Sequence, residues 1–245
     1  MQTATTPSGT IRATGIGKRF GALAVLDGID FRMTTDEAVG IVGPNGAGKS
    51  TLMAVLSGAL APSAGRVELD GQDVTALGAP VRSARGLMRT HQIPKPFTGL
   101  TVFENVLVGA MHAGGHKGKA AHQAAFSALE LSGMTPLANR QAESLGLLDR
   151  KRLELARALA TGPKFLLLDE IGGGLTEAEA AELVAIIRGL RGRGIGIVWI
   201  EHIVHILLQV AGRLICMDAG RIIADGDPQA VMSDPQVVRA YLGGA

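Results

Sequence analysis

The chain is poor in aromatic residues: one Trp, one Tyr and six Phe make up 3% of its 245 residues. That leaves no row of rings on which the bases of a single-stranded nucleic acid could stack. An excess of one charge sign is missing too. The formal balance is +2, from 24 basic and 22 acidic residues, and the only basic runs are Lys18-Arg19 and Arg150-Lys151-Arg152. No nucleic-acid partner is therefore expected. The single cysteine, Cys216, cannot form an internal disulfide, which fits a reducing compartment, and its place in Arg213-Leu-Ile-Cys-Met217 marks it as a buried strand residue. No apolar run approaches the roughly 18 residues that span a bilayer. Met1 to Thr10 also lacks the apolar stretch of a signal peptide, so a cytosolic protein is expected. Yet 47% of the residues are apolar, which fits either a well-filled core or a protein that docks on something. The length suits one large α/β domain, or one domain with a helical insertion.

Against these absences stands a complete glycine-rich loop, Gly43-Pro44-Asn45-Gly46-Ala47-Gly48-Lys49-Ser50-Thr51, directly after the apolar run Ala38-Val39-Gly40-Ile41-Val42. Glycine at 43, 46 and 48 lets the backbone curl so that several N–H groups point at one oxyanion. Lys49 brings a mobile positive charge for outer phosphates, and the Ser50 hydroxyl suits a magnesium shell. A helix opening near Lys49 adds the positive end of its dipole. These residues point to a bound nucleoside triphosphate.

Along the rest of the chain, Ile11–Phe20 and Leu26–Met33 read as strands joined by a turn near Gly21, and Lys49–Leu60 as a helix. Arg66–Asp70 reads as a strand. Arg82–Gln92 leads into the proline-bracketed loop Ile93-Pro-Lys-Pro-Phe97, and Thr101 with Glu104 has capping-box spacing. Ala120–Leu131 reads as an amphipathic helix. His112, His116 and His122 are unevenly spaced among glycines, as on a solvated face rather than around a metal. From Asp149 the order is helix (to Ala160), strand (Phe165–Leu168), helix (Thr176–Leu190), strand (Ile195–Ile200), a helix from His202 and a hairpin around 218–221. Such alternation implies a mostly parallel sheet covered on both faces. The strand Phe165-Leu-Leu-Leu168 ends in Asp169 and Glu170, an acid to hold magnesium and a second acid, aimed elsewhere, to accept a proton from attacking water.

With these two motifs in place the chain resembles the ATP-binding cassette (ABC) ATPases, and among them the ATPase subunits of bacterial importers for branched-chain amino acids and related polar amides. The resemblance runs over nearly the whole chain. It also rests on Arg89-Thr-His-Gln92 with Pro94-Lys-Pro-Phe97 as the glutamine loop, and on Leu153-Glu-Leu-Ala-Arg-Ala-Leu159. Glu201-His202 after a strand, Asp225-Gly-Asp-Pro228 and Tyr241-Leu-Gly243 complete it. It implies an α/β P-loop fold with a mostly parallel core sheet, an N-terminal antiparallel part and a helical subdomain. The core would take about 1–90 and 160–245, and the glutamine loop and helical part about 91–159. It implies ATP and magnesium as ligands. Ser50, Gln92 and Asp169 would attend the metal, and Lys49, Gln92, Glu170 and His202 would serve hydrolysis. Phe20 would stack on adenine, its other reading being a strand aromatic. The implied setting is the inner face of the cell membrane, with permease subunits, a second ATPase subunit and, indirectly, a periplasmic solute-binding protein.

The chain departs from the family pattern in places. The signature Leu-Ser-Gly-Gly-Gln is replaced by Leu145-Gly146-Leu147-Leu148-Asp149. The serine hydroxyl is gone, and Asp149 reads as a helix N-cap or, alternatively, as a charge facing the partner's phosphate. After Glu170 the family proline and a later aspartate are replaced by Ile171-Gly-Gly-Gly174-Leu175-Thr176, which suggests a freer loop ending in a capping box of Thr176 and Glu179. His91 replaces an aromatic residue. The parts that hold this chain's own nucleotide are complete, whereas the part offered across a dimer is altered. Pairing with a different ATPase subunit is therefore expected, with a tolerant homodimer as the alternative. Lipopolysaccharide exporter cassettes share much of the pattern, so direction and cargo stay open. A soluble ABC ATPase would bring a coiled-coil insertion or a second cassette. A GTPase would bring an Asn-Lys-x-Asp segment. The chain has none of these.

Overall fold

The computed structural model describes residues 9–90 and 93–242. In chain order, β1 (Thr10–Phe20) and β2 (Leu23–Thr34) form a hairpin turning at Gly21. β3 (Ala38–Val42) runs into α1 (Lys49–Ser57), followed by β4 (Ala64–Leu69), β5 (Gln72–Asp73), α2 (Ala79–Ala84) and β6 (Leu87–Arg89). Three helices follow, α3 (Val102–His112), α4 (Gly118–Leu131) and α5 (Leu147–Leu159). Next come β7 (Phe165–Asp169), α6 (Glu177–Leu190), β8 (Gly196–Ile200) and the short α7 (Val204–Leu207). The last are β9 (Arg213–Asp218), β10 (Arg221–Gly226), α8 (Pro228–Ser233) and α9 (Pro235–Leu242).

The strands form two sheets. One is antiparallel, in the order β2-β1-β4-β5. The other has the order β10-β9-β3-β8-β7-β6 and is parallel except at its β10 edge. β3, β7 and β8 are buried along their whole length, which is why they read as unbroken apolar runs. Alternate residues serve two cores. Ile41, Leu167, Val198, Ile200, Ile215 and Met217 face α1 and the antiparallel sheet, whereas Val42, Leu166, Leu168, Trp199, Leu214 and Cys216 pack toward α3–α6. Burying side chains of this size stabilises by about 1.5–3 kcal/mol each. Cys216 is fully buried as expected, and burial pushes its thiol up to about 11.

The sheet order positions the site. β3, β8 and β7 are adjacent and parallel, so the loop after β3, His202 after β8, and Asp169-Glu170 at the end of β7 all emerge at one edge. α1 ends three residues earlier than its sequence suggests, because Gly58 turns left-handed and its N–H bonds back to the Val55 carbonyl. Buried Arg82 then fastens that end, donating to the carbonyls of Val55 (2.8 Å) and Leu56 (2.7 Å). Both capping boxes form, at Thr101–Glu104 and Thr176–Glu179. Among the described residues no helix is long and apolar enough to cross a membrane.

Candidate nucleotide site

Gly43 opens the loop under tight constraint. Its φ is 144°, and a Cβ here would lie 2.0 Å from the Met217 carbonyl oxygen of β9, so only glycine fits. Its N–H donates to the Tyr241 hydroxyl at 2.8 Å. Lys49 curls back over the loop, its Nζ donating to the carbonyls of Gly43 (2.7 Å) and Pro44 (2.9 Å). Burial lowers the Lys49 pKa, and the charges of Glu170, Cys216 and Asp169 oppose that shift. Gly48 caps α1 without a side chain, so no side-chain oxygen competes for the first N–H groups of the helix.

Lys49 and Ser50 share one open cleft of about 220 Å³ with Glu170 and His202, and Val25, Asn45, Gly46, Gly48 and Thr51 complete its lining. His202 Nε2 lies 2.8 Å from Glu170 Oε1. Glu170 holds a left-handed backbone (φ 49°), one of three non-glycine residues to do so among those described. A conformation that costs about 1 kcal/mol or more turns its side chain away from the line of β7. His202 lies ahead of α7, which begins at Val204 with Ile203 as its cap, rather than opening the helix itself.

Asp169 is buried, and Arg89 from the neighbouring β6 donates to its Oδ2 at 2.6 Å. Its Oδ1 is buried without a hydrogen-bond partner. A carboxylate oxygen left in this state is the kind of donor a hard divalent cation takes, as is the Ser50 hydroxyl; Ser50 lines the cleft and Asp169 does not. In the sequence Arg89 stands out only as part of the glutamine-loop resemblance. Its pairing with Asp169 depends on β6 lying next to β7, which no local pattern signals.

Other expected residues are placed less directly. Phe20 lies outside the cleft, half-exposed at the end of β1, with Lys18 Nζ 5.1 Å from its ring centre. His91, Gln92 and Gly243 lie outside the described residues. The segment after Gln92 is tied to α5: the Lys95 N–H donates to Glu154 (2.9 Å), and Arg157 donates to the Lys95 carbonyl (3.0 Å) while lying over the Phe97 ring. His122 bonds the Gly118 carbonyl through Nδ1 and lies against Phe103.

Two expectations around the signature are corrected. Asp149 is not the N-cap of α5. Gly146 takes that place in an extended conformation, so Asp149 falls in the first turn and pairs with Arg152 at 3.4 Å. Leu145 precedes the cap, Leu147 is exposed and Leu148 turns inward. Nor is the glycine run after Glu170 a free loop. Ile171 is buried, Gly172 N–H donates to Glu201 Oε1 at 2.5 Å, and Gly173 N–H donates to the Glu170 carbonyl at 3.3 Å. A Cβ at Gly172 would meet Glu201 Oε1 at 2.8 Å, so glycine there permits close approach. Glu201 is the residue the sequence undervalued. Buried and also bonded by Trp199 Nε1, it joins the His202 segment to the loop after Glu170, and burial raises its pKa.

Comparison with known proteins places the chain in a family. A family profile described as "ABC transporter" matches residues 26–172, and one described as "Branched-chain amino acid ATP-binding cassette transporter" matches 221–245. The chain is 32% identical to the high-affinity branched-chain amino acid transport ATP-binding protein BraF of Pseudomonas aeruginosa, covering 96% of this chain and 98% of that protein. It is 33% identical to LivG of Escherichia coli, with the same description and coverage. It is also 33% identical to the lipopolysaccharide export system ATP-binding protein LptB of Haemophilus influenzae, over 95% of this chain and 97% of LptB. Among solved structures, the ADP conformation of MJ1267, an ATP-binding cassette of an ABC transporter, superposes with a TM-score of 0.88. It is 33% identical and covers 97% of this chain and 100% of MJ1267. This chain belongs to the ABC transporter family, as an ATP-binding subunit.

Proposed function

We propose that the chain hydrolyses ATP to drive an importer of branched-chain amino acids or related polar solutes. It would act as one half of an ATPase pair docked on permease subunits at the inner membrane face, supplied by a periplasmic solute-binding protein. The observation that carries the importer reading is the 221–245 match to the branched-chain amino acid profile, beside whole-length likeness to BraF and LivG. The likeness to LptB favours one rival, an exporter cassette. The chain would divide at about 91 and 159 into a nucleotide-holding core and a helical part that meets the permeases.

In this reading Lys49 leaves the Gly43 and Pro44 carbonyls to neutralise the outer phosphates, and the N–H groups from Gly46 to Thr51 hold them. Phe20 stacks on the adenine. Ser50, Asp169 and Gln92 would hold magnesium, which would neutralise phosphate charge. Glu170 accepts the proton of the water whose oxygen attacks the γ-phosphorus as the bond to ADP breaks. His202 orients the Glu170 carboxylate and contacts the γ-phosphate. The cover over this nucleotide comes from the signature of a different subunit, since Gly146 here offers no hydroxyl. ATPase assays of the chain alone and with a co-expressed partner ATPase test this: negligible activity rising sharply on mixing is expected, and full activity from the chain alone overturns the pairing. Proteoliposomes with the cognate permeases and binding protein test the cargo. ATP-driven uptake of leucine or a short amide is expected, whereas extraction of lipid without uptake overturns the importer.

A further inference from the structure

Tyr241 is the only tyrosine in the sequence, and no part of the proposed hydrolysis uses it. It sits 198 positions beyond Gly43, yet its hydroxyl accepts the Gly43 N–H at 2.8 Å. The ring is partly exposed while the hydroxyl is turned under the loop, and desolvation there raises its pKa. The helix carrying it is well anchored. Val237 of α9 and Val231 of α8 are buried, and Asp227 caps α8 by accepting from the N–H groups of Gln229 (2.9 Å) and Ala230 (3.1 Å).

The Gly43 residue is thus held on three sides: its backbone lies against the Met217 carbonyl of β9, its N–H bonds Tyr241, and its C=O accepts from Lys49. The third restraint is temporary on the reading given above, because Lys49 must leave Gly43 to meet phosphate. The Tyr241 bond uses no atom that phosphate would claim. We propose that Tyr241 is a positioning residue for the phosphate loop, holding the Val42–Gly43 peptide where β3 enters the loop when Lys49 releases the carbonyl of the next peptide, Gly43–Pro44, and swings to the nucleotide. A shift of the chain at that entry point would carry the loop after it out of place, and a misplacement of about 1 Å is costly where several N–H donors must converge on one ligand. The α8–α9 segment thereby becomes part of the nucleotide site although it lines no part of the cleft. This inference rests on the loop being the triphosphate site.

Equilibrium binding of MgATP to the full chain tests it. Tyr241→Phe keeps the ring and removes the hydroxyl, and Val231→Ala loosens the same segment without touching the bond. The expected result for Tyr241→Phe is a Kd raised about three- to tenfold, the range of one neutral hydrogen bond. The melting temperature should stay near wild type, and amide exchange at Gly43 should quicken. Unchanged affinity in Tyr241→Phe overturns the proposal. So does a Kd that rises only in step with lost stability, as in Val231→Ala, because that marks a merely structural contact. If the wild-type chain itself fails to bind MgATP, the reading of the loop falls first and this proposal with it.

Discussion

The phosphate loop and the signature segment are the two ends of one catalytic idea, and this chain builds them differently. At Gly43 every backbone group has a partner and the neighbouring strand admits no side chain. At Gly146 a Cβ would meet nothing within 4 Å, Leu147 is exposed, and no side chain caps the helix. The first region is held on every side by the protein's own groups. The second keeps only what any helix start offers, its free N–H groups. The difference teaches that the backbone around the loop after β3 is tightly fixed by the fold, whereas the start of α5 is not.

The sharpest break of that comparison is Glu170→Gln. ATP binding should persist while phosphate release in the assembled pair falls at least about 100-fold, the scale of a lost general base. Normal turnover would remove Glu170 from its role. Next comes Arg89→Gln, which leaves the Asp169 carboxylate buried without its cation. A loss of about 3 kcal/mol is expected in urea unfolding, largely recovered by adding Asp169→Asn. An unchanged midpoint would mean the pair adds nothing.

A smaller effect lies at Glu201. Its folded pKa stands above the ordinary 4.5 because of burial, so its contribution to stability is fully present below 4.5 and fades as pH rises through the folded value. Relative to Glu201→Gln, the wild type should therefore lose stability as pH is raised from 4 toward neutrality, read from unfolding at each pH. A difference independent of pH would contradict the buried, charge-averse setting. The smallest effect is expected from Gly146→Ser. The site has room for the side chain, so stability should rise by a few tenths of a kcal/mol, and hydrolysis by the chain alone should increase. No gain in activity would show that the missing hydroxyl is not what limits the chain.

Much of the site was legible because its signals are local. An apolar strand followed at once by glycines and Lys49, or by Asp169 and Glu170, carries both its position at a sheet edge and its chemistry in adjacent letters. The capping boxes at Thr101 and Thr176 were legible for the same reason, since donor and acceptor lie within one helical turn. At Asp149 the local pattern misleads, because a residue with N-cap chemistry lies three positions after a glycine able to start the helix without a side chain. At 172–174 it misleads as well, because glycine suggests freedom unless a distant carboxylate, here Glu201, claims the space.

By itself the sequence determined the strand-loop units, their order and the chemistry each carries to the sheet edge. The tertiary structure decided which units face each other. Strand order sets Arg89 of β6 against Asp169, 80 positions away, and the fold brings Tyr241 under Gly43 from 198 positions away. Glu201 reaches Gly172 across 29. Such contacts are fixed by how sheets and helices pack to bury apolar surface, a property of the whole chain to which the residues that meet need contribute no local pattern.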